Sequence, residues 1–177
     1  MIKITILSGS LNPDSRSRVL ARYAQEILAA QGASVDFIDL QEMDLPLAGS
    51  PGSWDGPVVA DLDARLSAAQ GILIAAPVYN YDLNAAVKNV AELAGGGFEG
   101  KVVGFLLASG GMGSYMSVMS FANSLMLDFR SLILPRFVYA LKGATAGDQV
   151  VDPEIQKRIQ ELAGELVRVA GALQKKS

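Results

Sequence analysis

Five short apolar runs alternating with five longer helical patterns predict a doubly wound α/β sandwich. The runs are continuous, as expected of parallel strands covered on both faces. No internal repeat, low-complexity tract or linker divides the 177 residues, so residues 1–177 read as one domain.

The first run, Ile2 to Leu7, stops at Gly9-Ser10. Val19, Leu20, Tyr23, Ala24, Ile27 and Leu28 then recur in adjacent pairs four residues apart, with Arg16, Arg18, Arg22 and Glu26 on the other face. That spacing is an amphipathic helix, and Gly32 is placed to end it. Val35 to Ile38 form the second run, followed by an irregular stretch, Gln41 to Pro57, which holds three glycines, Pro46 and Pro51 and reads as the one long loop. A second helix starts after Asp55-Gly56-Pro57 and carries Val58, Val59, Leu62 and Leu66. Gly71 to Ala76 make the third run, and a helix from about Leu83 to Leu93 ends in Gly95-Gly96-Gly97. Val102 to Ala108 make the fourth. The next helix is expected to hold Tyr115, Met116, Val118, Met119, Ala122, Leu125, Met126 and Phe129, apolar on more than one face. The fifth strand is read from Leu132 to Leu134 with Phe137 to Tyr139. Asp152 as cap and Pro153 at the first helical position open the last helix, with Ile155, Ile159, Leu162, Leu166, Val169 and Leu173 on its apolar stripe. The stripe suits either a coiled coil or a helix seated on a sheet.

Composition removes much chemistry. The chain has no Cys and no His, which rules out disulfides, thiolate nucleophiles, His-based triads and the common zinc, haem and iron–sulfur ligand sets. No metal site is expected. With 15 basic against 18 acidic residues and no like-charged block, nucleic acid is not an expected partner. The apolar stretch Ile4 to Leu7 is shorter than the roughly 7–15 residues of a signal-peptide core, and no run nears the ~20 apolar residues of a membrane span. A cytoplasmic protein without membrane contact is expected.

Right-handed crossovers bring all strand C-termini to one edge, where ligands of such sheets bind. After the first strand, Gly9 with Ser10, Ser15 and Ser17 leads into a helix N-terminus, with Arg16 nearby. Hydroxyls, free N–H groups and a positive dipole end make a phosphate site, whereas a single serine would read as a helix cap. The loop lacks both G-x-x-x-x-G-K-[ST] and G-x-G-x-x-G. After the third strand, Pro77-Val78-Tyr79-Asn80-Tyr81 offers stacking surface and hydrogen bonds to a flat heterocycle, or two half-buried tyrosines around a turn Asn. After the fourth, Ser109-Gly110-Gly111-Met112-Gly113-Ser114 allows close backbone approach to a ligand, or is a flexible turn.

On these residues the chain resembles the NADPH-dependent FMN reductase family of flavodoxin-like flavoproteins. Gly9, Ser10, Ser15 and Ser17 match the family's phosphate loop, Pro77, Tyr79 and Asn80 its P-x-Y-N segment, Lys88-Asn89 its Lys-Asn pair, and Ser109-Gly110-Gly111 its Ser/Thr-Gly-Gly turn. Four positions depart from it. Asn12 stands where the family's first loop has Arg, Val78 where Glu is common, and Leu83-Asn84 where Pro-Gly is usual.

The resemblance implies a five-stranded sheet of order 2-1-3-4-5 and one FMN along its edge. Ser10, Ser15, Arg16 and Ser17 would take the phosphate, with Asn12 in the same loop. Pro77, Val78, Tyr79 and Asn80 would underlie the isoalloxazine, and Ser109, Gly110, Gly111 and Met112 would meet its pyrimidine edge. The implied activity is NAD(P)H oxidoreduction, a hydride passing from NADPH or NADH to flavin N5 and on to a small acceptor such as free flavin or a quinone. No side chain is then needed as a catalytic acid or base. An electron carrier without a nicotinamide site and a non-catalytic module for another phosphate ligand or a protein remain alternatives. The Met-rich fourth helix suits either a homodimer or homotetramer contact or a fully buried helix. The resemblance favours the oligomer, with Trp54 of the long loop reaching a neighbour's flavin.

Overall fold

The computed structural model describes residues 1–174, so the last three residues of the expected domain lie outside the described residues. Parallel strands β1 (Lys3–Ser8), β2 (Ser34–Asp39), β3 (Gly71–Tyr79) and β5 (Val102–Ala108) pair in the order β2-β1-β3-β5. The fifth place is shared by two short strands, β6 (Leu132–Ile133) and β7 (Val138–Ala140), both parallel to β5. Counted as one interrupted strand, they complete the expected 2-1-3-4-5 order. The interruption holds Pro135, which has no N–H to give to a ladder, and Arg136, which takes a positive φ of 68°.

Strand alternation divides the core into two layers. Leu73 and Ala75 of β3 and Leu106 and Ala108 of β5 face helices α1 (Arg16–Ala30) and α5 (Pro153–Gln174). Ile72, Ile74 and Ala76 of β3, with Val103, Phe105 and Leu107 of β5, face α2 (Pro57–Ser67), α3 (Ala85–Ala94) and α4 (Met119–Phe129). Phe105 meets Phe121 and Phe137 edge-on, with ring centroids 6.3 and 5.6 Å away. Lys101 Nζ donates to Ser67 O and Ala69 O, both at 2.7 Å, at the C-terminal end of α2, and its partial burial draws its pKa below the usual lysine value.

Local expectations change in four places. Leu83 does not begin a helix: it pairs with Val78 in a hairpin formed by β3 and β4 (Asp82–Leu83), and α3 starts at Ala85. The hairpin turn is Asn80-Tyr81, with φ of 51° and 63°, the doubly left-handed geometry that matches strand twist. Tyr115, Met116 and Val118 lie outside α4, in turns that follow a short 3-10 stretch, Met112–Ser114. A small hairpin of β8 (Thr145–Ala146) and β9 (Gln149–Val150) precedes α5.

The fourth change is the long loop, which opens with a 3-10 turn, Leu40–Glu42, and is fastened to α3. Asn89 Oδ1 accepts from Ala48 N at 2.8 Å and Asn89 Nδ2 donates to Pro46 O at 2.9 Å. The Trp54 indole N–H donates to Glu92 O of its own chain.

One close approach fixes how α2 meets the turn after α3. A Cβ on Gly97 would lie 2.5 Å from Leu66 Cβ and 3.3 Å from Ser67 N. Gly164, inside α5, has room for one, its nearest outside neighbour being Gln31 Nε2 at 3.7 Å. Gly97→Ala is expected to lower unfolding free energy by about 1–3 kcal/mol. Gly164→Ala should instead raise it by about 0.5–1 kcal/mol; urea midpoints of the two variants check both signs.

Candidate functional site

The loops after β1, β3 and β5 meet at the C-terminal edge around a cleft of about 320 Å³. Ser10, Asn12, Asp14, Ser15, Arg16, Ser17, Pro77, Val78, Tyr79, Ala108 and Gly110 line it. The sequence reading singled out all of these but Asp14 and Ala108. Its other four candidates, Asn80, Ser109, Gly111 and Met112, lie in the same loops but do not line the cleft. A larger recess of about 690 Å³ lies elsewhere, between the long loop, α3 and α4, and holds none of these residues.

The first loop is built around serine hydroxyls. Ser15 caps α1, its Oγ accepting from Arg18 N at 3.3 Å, and lies 2.9 Å from Ser17 Oγ. Ser10, Ser15 and Ser17 are all buried. The N–H groups of Arg16 and Ser17, in the first helical turn, have no carbonyl four residues back to bond, so they remain for an anion. Asn12 makes a local turn, its Oδ1 accepting from Asp14 N at 3.0 Å. One end of Arg16, NH1, donates to Ser109 O at 3.0 Å, which ties the first loop to the third.

Two residues that hold this loop were not singled out. Arg18 was placed on the outer face of α1, yet its side chain is only 14% exposed and pairs with Asp39, 3% exposed, at the end of β2. Arg18 Nε donates to Asp39 Oδ2 at 2.6 Å and NH2 to Asp39 Oδ1 at 3.0 Å. NH1 also donates to Asn12 O and Pro13 O, at 2.7 and 3.0 Å, and NH2 to Ser10 O at 3.0 Å. The rule that looks for function after each strand would have found Asp39 had it been applied to β2.

At the end of β3, the hairpin presents Tyr79, 54% exposed, and Tyr81, 71% exposed. The half-buried-anchor reading of these tyrosines is thereby set aside. Asp82, on β4, accepts from Ser120 Oγ at 2.9 Å, which fastens the hairpin to α4. In the third loop, Tyr139 Oη donates to Gly111 O at 2.6 Å and lies against Ser114 Oγ, which is 3.1 Å from Ser109 Oγ. Gly111 N donates to Ser109 Oγ at 3.3 Å. This network anchors a loop of small residues without filling the cleft.

The parts fit a planar heterocycle carrying a phosphate. Buried hydroxyls, two first-turn N–H groups and one guanidinium converge at one end, and the exposed Tyr79 and Gly110 lie at the other. Among the described residues no group of His, Cys, Asp and Glu is arranged to hold a metal ion, and no helix is long and apolar enough to cross a membrane.

Comparison with known proteins gives the family and the fold. The sequence profile described as NADPH-dependent FMN reductase matches residues 2–146. A rice (Oryza sativa subsp. japonica) protein, "Probable NADPH:quinone oxidoreductase 2", is 28% identical over 99% of this chain and 92% of its own length. "FMN reductase (NADPH)" of Escherichia coli (strain K12) is 30% identical over 68% of this chain and 63% of its own. Among solved structures, an oxidoreductase from Corynebacterium diphtheriae superposes with a TM-score of 0.80 at 22% identity, covering 97% of this chain and 98% of that one. FerB from Paracoccus denitrificans, a flavoenzyme NAD(P)H:(acceptor) oxidoreductase, gives 0.77 at 20% identity, with the same coverage.

Arg18→Lys tests the clamp on the first loop. Lysine keeps the charge but offers three donors from one point, so it cannot serve Asp39 and three carbonyls together. Unfolding free energy should fall by about 1–3 kcal/mol, read from urea titration, with proteolytic nicking concentrated at residues 10–14.

Proposed function

The chain belongs to the NADPH-dependent FMN reductase family, and from that membership we propose how its residues serve an FMN-dependent NAD(P)H oxidoreductase. Convergence of three loops on one cleft, with the first tied to the third through Arg16 and Ser109 O, is the observation that carries the assignment.

Ser10, Ser15 and Ser17, the first-turn N–H groups of α1 and the free end of Arg16 hold the FMN phosphate. Asn12 shapes the loop through its turn and leaves the positive charge to Arg16. Pro77, Val78, Tyr79 and Asn80 support the isoalloxazine, and the loop of Ser109, Gly110, Gly111 and Met112 meets its pyrimidine edge. Gly111 N–H is already engaged by Ser109, so the donors left there are those of Gly110 and Met112. When bound, FMN would supply the redox chemistry between a nicotinamide and a second acceptor. The protein contributes position and electrostatics, and no cleft residue acts as an acid or base.

The acceptor we propose is a small flat molecule, a quinone or free flavin, seated beside Tyr79 and Tyr81. The names of the rice and E. coli relatives, a quinone oxidoreductase and an FMN reductase, support those two classes. We further assign the chain a single cytoplasmic domain over residues 1–177 that acts as a homodimer or homotetramer, without nucleic-acid or membrane partners. Exposed Met116, Met126 and Leu127 support the self-association.

Purified protein should be yellow, and NADPH or NADH should bleach it in stopped flow. Colourless protein that takes up no added FMN overturns the assignment. Ser17→Ala should raise the FMN dissociation constant about tenfold, the worth of one hydrogen bond to a charged group. Ser17→Glu, which sets a carboxylate against the phosphate, should fold by circular dichroism yet retain no flavin. Tyr79→Ala should change the flavin spectrum and the KM for nicotinamide while FMN retention holds.

A further inference from the structure

Asn84 stands at the N-cap of α3, a position where Asn normally accepts from the helix's own first-turn N–H groups. Its side chain makes no such bond. Instead Asn84 Nδ2 donates to Gly9 O at 2.6 Å, a buried contact across 75 residues of sequence. The other amide atom, Oδ1, is buried with no hydrogen-bond partner among the described residues. The residue as a whole is 6% exposed. A cap forgone and a buried acceptor without a protein partner are two local costs at one side chain, which points to a use for the bond to Gly9 beyond local stability.

What that bond joins is informative. Asn84 N donates to Pro77 O at 3.3 Å, so the same residue is fastened to the strand end beneath the β3–β4 hairpin. Gly9 N donates to Ala75 O at 2.8 Å, and a Cβ on Gly9 would lie 2.1 Å from Val87 Cγ2 of α3. Gly9 leads directly into Ser10, at the phosphate end of the cleft, while Pro77 opens the Pro77–Asn80 segment at its ring end.

We infer that Asn84 is a positioning residue that sets the separation between the phosphate cradle and the ring-supporting hairpin. The inference rests on the FMN assignment above. A ligand that spans both ends gains from having them pre-spaced, and a ligand that touches only one end does not.

The test compares FMN, riboflavin and inorganic phosphate on the wild type and on Asn84→Ser, with flavin binding followed by fluorescence quenching. Serine can cap α3 but is too short to reach Gly9 O, and it brings no charge near the phosphate. Expected are a weaker FMN affinity by about tenfold or more, with riboflavin affinity and the inhibition constant of inorganic phosphate against FMN each within about threefold. The thermal midpoint of the apoprotein should change little, the regained cap offsetting the lost bond to Gly9 O. An FMN-to-riboflavin affinity ratio that changes less than about threefold overturns the inference whatever the midpoint does. A weakening of phosphate equal to that of FMN also overturns it, since the effect would then lie in the cradle alone. Asn84→Gly, tolerated at N-caps, repeats the measurement should the serine variant not fold. Wild-type protein that binds no FMN would count against the flavin assignment itself, which keeps the two failures apart.

Discussion

Arg18 and Asp39 form the interaction on which the site depends. A guanidinium has five N–H donors in a fixed fork, and all five are used: two on the Asp39 carboxylate and three on the carbonyls of Ser10, Asn12 and Pro13. Asp39 Oδ1 also accepts from Gln41 N at 3.2 Å, so the carboxylate orders the turn after β2 as well. Such a pair gives little net stability over an apolar substitute, because removing both charges from water is costly. Its value is geometric. The first loop leaves the sheet and has no ladder to satisfy its carbonyls, and Arg18 meets that need from beneath. With the carbonyls drawn toward Arg18, the loop's hydroxyls and the first-turn N–H groups of α1 are left for a ligand.

The second consequence concerns charge. Because Arg18 is saturated, the cation available to a bound phosphate is Arg16, one nitrogen of which is held by Ser109 O. The two arginines stand two residues apart in sequence and perform opposite tasks, one ordering backbone and the other facing the cleft. The same division recurs in the third loop, where Tyr139 and Ser109 hold Gly111 and leave the cleft wall bare.

Strands and most helices were legible because burial on both faces writes continuous apolar runs and burial on one face writes a 3.6-residue stripe. The start of α4 was not. Tyr115, Met116 and Val118 continue the apolar pattern of Met119 to Phe129, yet they sit in turns, and periodicity cannot separate a turn over apolar surface from a helix. The β3–β4 hairpin escaped notice because Asn80-Tyr81 lacks the glycine that usually marks a doubly left-handed turn. Candidate ligand residues were legible as loop chemistry after strand ends. Arg18, Asp39 and Asn84 were not, since the Arg18–Asp39 and Asn84–Gly9 contacts join residues 21 and 75 apart in sequence, and a helix-face pattern or an N-cap position offers a complete local account of Arg18 or Asn84.

The glycines of the loops around the cleft fall into two kinds that sequence alone merges. Gly9 is required by the protein itself: a Cβ there would collide with Val87, so no ligand need be invoked for it. Gly110 and Gly111 are different. A Cβ on either would meet nothing within 4 Å among the described residues, and neither has a positive φ. The fold therefore gives no steric or conformational reason for glycine at these two positions, although Gly110 lines the cleft. A side chain at Gly110 would stand between the cleft and the backbone N–H groups of the loop.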